Sequence, residues 1–145
     1  MTVRLYLDTS VLNRPFDDQK QPRIWLETLA FSLVLSLIEA GEAELVSSPI
    51  HTLENSRCPF SVRRLWVGRC LRLATHTVAL TEAIQTRAHA LAGHGQKPLD
   101  ALHLACAEAA GAGWFLTCDD RLIRRYVGPL AVQTPTNFVS NQSQP

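Results

Sequence analysis

A chain of 145 residues that is 46% hydrophobic and 19% charged, with a formal net charge of +1, fits one globular domain with its own core. That balance excludes a disordered chain, and the near-neutral charge excludes a protein that holds nucleic acid by bulk electrostatics alone. The four cysteines (Cys58, Cys70, Cys106 and Cys118) form no C-x-x-C pair and no basic-apolar leader opens the chain, so a reduced, cytoplasmic protein is expected.

In chain order, residues 3–7 read as a strand, with Val3, Leu5 and Leu7 on one face and Asp8 at its end. Residues 9–14 read as a turn stopped by Pro15. Residues 23–40 carry the longest helical pattern. Its apolar stripe is Ile24, Leu29, Phe31, Leu33, Leu35 and Ile38, and Gly41 closes it. The apolar run inside it, near residues 30–38, is too short to span a bilayer, and no membrane association is expected. Residues 44–46 form a short strand. Pro49 opens a helix carrying Glu54, and Pro59 opens another carrying Arg63, Arg64, Leu65, Trp66, Cys70 and Leu73.

Residues 77–80 read as a strand and 81–92 as a helix ended by the loop Gly93-His94-Gly95. An Ala-rich helix over 98–110 stops at Gly111. A buried strand at 114–117, a short basic helix at 119–126 and a last strand at 130–132 follow. Trp25, Trp66 and Trp114 are expected in the core, and the polar residues 140–145 are expected to fray. Short strands separated by longer helices predict one α/β domain over residues 1–139, a parallel sheet with helices on both faces.

In open parallel sheets, ligands collect beyond the carboxyl ends of the strands. Asp8 ends the first strand there, and Asp119 and Asp120 follow the strand at 114–117. Asp100 lies in the first turn of the preceding helix, and Glu54 lies on the helix after the second strand. Convergent carboxylates repel one another unless a cation neutralises them, and hard oxygen ligands select Mg²⁺ or Mn²⁺. Such ions suit phosphodiester hydrolysis. Each acid also has a plain structural role. Asp8 can cap its turn, Asp100 can favour a helix dipole, Asp119 can be an N-cap, and Glu54 can be an exposed helical acid. Their joint placement at strand and helix ends favours the site reading. His89 and His94 lack a partner at zinc spacing, and His103, one turn after Asp100, can touch the pocket but reads first as an ordinary helix residue.

Twelve arginines stand against two lysines. They cluster at Arg57, Arg63, Arg64, Arg69 and Arg72, and again at Arg121, Arg124 and Arg125, where planar guanidinium forks can hold phosphates. Arg64, Arg121 and Arg124 are the expected contacts to the phosphates of a polyanion.

Three segments resemble the signatures of PIN-domain nucleases: Leu7-Asp8-Thr9-Ser10-Val11-Leu12, Leu99-Asp100-Ala101-Leu102-His103-Leu104-Ala105 and Phe115-Leu116-Thr117-Cys118-Asp119. The opening from Tyr6 to Asp18 is similar to VapC-type toxins. The resemblance implies an α/β/α sandwich around a parallel sheet of four or five strands. It also implies Mg²⁺- or Mn²⁺-dependent cleavage of RNA, leaving a 5′-phosphate and a 3′-hydroxyl. Asp8, Glu54, Asp100 and Asp119 match its catalytic acids, with Asp8, Asp100 and Asp119 as metal ligands. Ser10 and Thr117 match its pocket hydroxyls. Asp120 adjoins that pocket, and Asp119 is favoured over it as the metal ligand because it keeps the Thr-x-Asp spacing. Many such proteins dimerise, and many are toxins held by an antitoxin protein.

Thr134-Pro135-Thr136-Asn137 stands where the family often has Asn-Pro before a final helix. Asp17 and Asp18 are left as open candidates for the rim. The alternative is a PIN-like module that binds RNA or a protein with negligible turnover, although a dead version has no need of four acids. A phosphotransfer domain with Asp8 as nucleophile fits poorly, because Ser10 stands where dehalogenase-type phosphatases need a second Asp, and neither Lys20 nor Lys97 follows a suitable strand.

Overall fold

A computed structural model describes residues 2–142. The five strands are β1 (Val3–Leu7), β2 (Ala43–Ser47), β3 (His76–Thr77), β4 (Trp114–Leu116) and β5 (Ala131–Gln133). They form one sheet in the order β3-β2-β1-β4-β5, and every pairing is parallel. The helices are α1 (Thr9–Leu12), α2 (Pro22–Glu39), α3 (Pro49–Ser56), α4 (Ser61–Leu71), α5 (Glu82–Gly93), α6 (Pro98–Ala109), α7 (Asp120–Arg125) and α8 (Pro135–Gln142).

Side chains alternate across a strand, so one strand feeds two cores. Leu5 and Leu7 of β1 join Leu45, Leu116, Phe31, Val34, Val67 and Phe138 on the face covered by α1, α2, α4 and α8. Tyr6 points the other way and joins Val46, Phe115, Ile50, Leu91, Leu104 and Leu122, under α3, α5, α6 and α7. This is the expected α/β/α sandwich, with five strands.

Chain direction across the sheet reverses at β1, which has β2 on one side and β4 on the other. Such a switch point leaves a crevice beyond the strand ends. The pairing Leu7↔Leu116 places Asp8 beside Thr117 at that crevice, and the Asp8 amide donates to the Leu116 carbonyl at 2.9 Å.

Several local readings change. Residues 9–14 coil into α1 and a single 3-10 turn, Arg14–Phe16, which takes in Pro15 instead of stopping at it. Proline fits there because its fixed φ suits the first positions of a helical turn. The helix after Pro59 begins at Ser61, and β3 is only His76–Thr77. Trp25 is 51% exposed, not in the core, and Leu29 and Leu33 of the expected stripe also face out. Helix α2 is apolar nearly all round, so its periodicity cannot choose a face. Its end follows expectation. Gly41 takes φ +76°, and the amides of Gly41 and Glu42 return to the carbonyls of Ile38 and Leu37, the paired closure that needs a left-handed residue. Helix α8 runs through Ser140 to Gln142, past the expected start of fraying. Residues 143–145 lie outside the described residues.

Candidate active site

The loops after β1 and β4 build the centre of the site. Asp8 stands at the N-cap of α1, yet its side chain makes no capping bond. The carboxylate turns instead into the crevice, where Oδ2 accepts from Ser10 Oγ at 2.7 Å and from Thr117 Oγ1 at 2.8 Å. Each hydroxyl is fixed in turn by a backbone amide. Cys118 N donates to Ser10 Oγ, and Asp119 N to Thr117 Oγ1, both at 3.1 Å. Ser10 and Thr117 thereby clamp one oxygen of Asp8. The other oxygen has no protein donor among the described residues.

Asp119 is the N-cap of α7, its Oδ1 accepting from the amides of Arg121 at 2.9 Å and Leu122 at 3.3 Å. Capping uses one oxygen and fixes the rotamer, which leaves Oδ2 without a protein donor among the described residues. Its neighbour Asp120 is engaged elsewhere. Both its oxygens accept from the Arg23 guanidinium at 2.8 Å, on the exposed side of α7. That fork-to-fork pair holds Asp120 below the usual carboxylate range.

Asp100 occupies the first turn of α6. Burial, then the nearby charges of Asp8 and Asp119, push it up to about 6, with Glu54 adding to the same effect. The four predicted acids therefore share one electrostatic neighbourhood. Glu54, on α3, accepts at Oε1 from Thr9 Oγ1 at 2.8 Å and is hydrogen-bonded to His103 Nε2. Burial raises its carboxyl, but the His103 and Thr9 contacts outweigh burial and hold it below its ordinary value.

A cleft of about 480 Å³ opens beside Asp119, lined by Ser10, Arg14, Cys118, Asp120, Arg121 and Arg124. Two of the three predicted RNA-binding arginines line it, and neither Arg121 nor Arg124 makes an ion pair among the described residues. Arg64 stands apart, on α4. Its guanidinium donates to the Cys58 carbonyl at 2.6 Å, bracing the turn between α3 and α4. Arg14 lines the cleft without having been singled out in the sequence. Its ion pair with Glu27, which is 2% exposed, ties the cleft wall to α2. Asp17 pairs with Arg14, Asp18 accepts from the Lys20 amide, and neither lines the cleft.

Among the described residues, no three acidic, histidine or cysteine side chains already stand close enough to share one metal ion. The donor set nevertheless fits a hard divalent cation. It consists of carboxylate oxygens, each of the four acids keeps at least one oxygen without a protein donor among the described residues, and mutual repulsion lifts Asp100. Relieving that repulsion is what a cation would do there.

The chain matches the PIN domain family across residues 5–128, a span that holds all four acids. It belongs to that family. No curated protein matches the sequence. Among solved structures, the PIN domain here is similar to PAE2754 from Pyrobaculum aerophilum, with a TM-score of 0.58 at 17% identity, over 98% of this chain and 91% of that one. At that identity the likeness concerns the fold. The PIN fold is a nuclease-type fold, commonly served by divalent metal. No helix among the described residues is long and apolar enough to cross a membrane.

The sequence does not single out Arg14, and it leaves His103 between an ordinary helix position and a residue that touches the pocket. The sequence signal for His103 was its place three residues after Asp100, on the same helical face.

Proposed function

We propose that this PIN domain is a metal-dependent endoribonuclease, served by Mg²⁺ or Mn²⁺, and the VapC-like toxin of a toxin–antitoxin pair. What supports the reading is the Asp8 carboxylate clamped by Ser10 and Thr117 at the β1–β4 crevice, with Glu54 tied to the adjacent Thr9, Asp100 raised by the charges of Asp8 and Asp119, and Asp119 lining a cleft with Arg121 and Arg124. Asp8, Asp100 and Asp119 would hold the ion, which when bound supplies a more acidic water and a polarised phosphoryl group. Ser10 and Thr117 orient the Asp8 carboxylate. Capping orients Asp119. Glu54, kept ionised, offers Oε2 as the chain's proton acceptor. Arg121 and Arg124 grip phosphates flanking the cut, and Arg64, on α4, is a more distant RNA contact.

Two further roles belong to this reading. Trp25, Leu26, Leu29 and Leu33 expose apolar surface on α2, and Phe60, Val62 and Leu65 do so near α4. Exposed apolar surface of this kind is where a second copy of the chain, or an antitoxin segment, would pack. The cytoplasm, where RNA and a reducing environment coincide, is the expected location, and the four cysteines are free.

The test is incubation of the purified protein with mixed structured RNA in Mg²⁺, in Mn²⁺ and in chelator, followed by analysis of the product ends. Metal-dependent cleavage leaving 5′-phosphate and 3′-hydroxyl ends supports the proposal. Tight RNA binding without cleavage in either metal contradicts it and favours a binding module.

A further inference from the structure

Two histidines are buried beside the acidic cluster, and they are used differently. His51 spends both nitrogens on the backbone. Its Nε2 bonds the Leu7 carbonyl at 2.7 Å, and its Nδ1 accepts from the Ser48 amide at 3.1 Å. Burial and the neighbouring His103 push it down to about 3, so it stays neutral and serves as a structural post.

His103, with no exposed surface, spends both nitrogens on side chains. Nδ1 lies 2.5 Å from Tyr6 Oη, and Nε2 meets Glu54 Oε1, with Thr9 Oγ1 at 3.3 Å. An ionised carboxylate only accepts, so the proton between His103 and Glu54 sits on Nε2. That holds whichever partner Tyr6 donates to, because Tyr6 Oη also lies 2.7 Å from Ser48 Oγ and can direct its single proton either way. Burial keeps that phenol protonated. Tyr6 itself cannot swing. Its ring is stacked between His51 at 4.5 Å and Phe115 at 5.3 Å.

The result is a fixed line of side chains running from Ser48 through Tyr6 and His103 to Glu54. Both donors to Glu54, His103 Nε2 and Thr9 Oγ1, fall on Oε1. Oε2 has no protein donor among the described residues. A histidine present only for packing would have no reason to end on a catalytic acid, and His51 shows the alternative in the same core.

We propose that His103, braced by Tyr6 and Ser48, is the positioning residue for Glu54, fixing one carboxylate oxygen so that the other stays presented to the reacting centre. This rests on the nuclease reading and assigns a role that the four acids alone do not contain. Holding the rotamer of a catalytic group in this way is how a supporting shell raises turnover without touching substrate.

The test is a double-mutant cycle on full-length protein, with structured RNA at saturating Mn²⁺. His103→Ala is expected to lower kcat at least tenfold with KM for RNA little changed. In a Glu54→Ala background the same substitution is expected to cost nothing further. His103→Gln, which returns a side-chain N–H near Nε2, is expected to recover part of kcat, and Tyr6→Phe to lose less than His103→Ala. Equal losses with and without Glu54, or an effect on KM alone, would overturn the proposal.

Because His103→Ala empties a core position, a second measurement keeps the proposal decidable. Nitrogen-15 NMR of the wild-type imidazoles should show His103 protonated at Nε2, with a proton slow to exchange that is lost in Glu54→Ala. An Nε2 without a proton overturns the geometry outright. Failure of the wild-type protein to cleave any RNA overturns the nuclease reading and the catalytic role together, while the NMR result still decides whether His103 holds Glu54.

Discussion

Replacing Asp100 by Asn should stabilise the metal-free protein above pH 6 and do almost nothing at pH 4. In the folded chain burial, then the charges of Asp8 and Asp119, raise this carboxyl from 3.8 to about 6. Between those values the native state binds more protons than the unfolded state, so the contribution of Asp100 to stability falls as pH rises from about 4 through 6 and stays low above. Because the group is only partly buried, solvent screening discounts the cost of its charge to about 1 kcal/mol. Removing a carboxylate from the first turn of α6 gives back about 0.5 kcal/mol of helix-dipole stabilisation, so the net gain at pH 7.5 is about 0.5 kcal/mol. For a domain of this size that is roughly 2 °C in Tm.

The assay is a set of thermal melts of both proteins in chelator from pH 4 to pH 8. Glu54, Glu44 and Asp120, whose carboxyls are lowered, push stability the opposite way with pH, but they are common to both proteins and cancel in the difference. Adding Mn²⁺ at a hundredfold excess over its Kd should then stabilise the wild type by about 2.7 kcal/mol and reverse the order. A variant less stable than wild type in chelator at pH 7.5, or a difference independent of pH, would refute the view that Asp100 sits among repelling charges.

Other consequences follow from the same geometry. Thr117→Val keeps the shape but removes a donor to Asp8 and an acceptor for the Asp119 amide, and should cost about 1–2 kcal/mol in urea denaturation. Arg121→Ala with Arg124→Ala should leave stability within about 0.5 kcal/mol while weakening RNA binding, with a shallower salt dependence in filter-binding titrations. Gly128→Ala would drive a methyl group into Tyr126 Oη and to 2.7 Å from Glu108 Oε2. Those two atoms are hydrogen-bonded to each other and must shift, at a cost of about 1 kcal/mol by denaturant melt and without effect on RNA cleavage.

Much of this was legible in the chain because local rules and the fold agree. The alternation of Val3, Leu5 and Leu7 fixed the face of β1, and a strand that stops on an acid pointed to the crevice. Asp119 was readable twice, as a cap and as a site residue, and the structure uses one oxygen for the cap and leaves the other. Asp120 could not be separated from Asp119 by adjacency, since its commitment to Arg23 depends on a contact across 97 positions of chain. Helix α2 hid its orientation because apolar residues lie on every side, so Trp25 looked like core. The coiling of residues 9–14 into α1 was missed because four residues are too few to show a period. His103 is the instructive case. Its partners Tyr6, Thr9 and Glu54 come from three other segments, so no pattern within α6 reveals what its two nitrogens do.

The most direct measurement compares wild type, Asp100→Asn and Asp120→Asn on one end-labelled structured RNA, with Mn²⁺ and with chelator. The acidic-crevice account predicts cleavage by the wild type only with metal, loss of at least a hundredfold in Asp100→Asn, and near-normal cleavage by Asp120→Asn. Cleavage that persists in chelator, or an Asp100→Asn protein as active as the wild type, would contradict it.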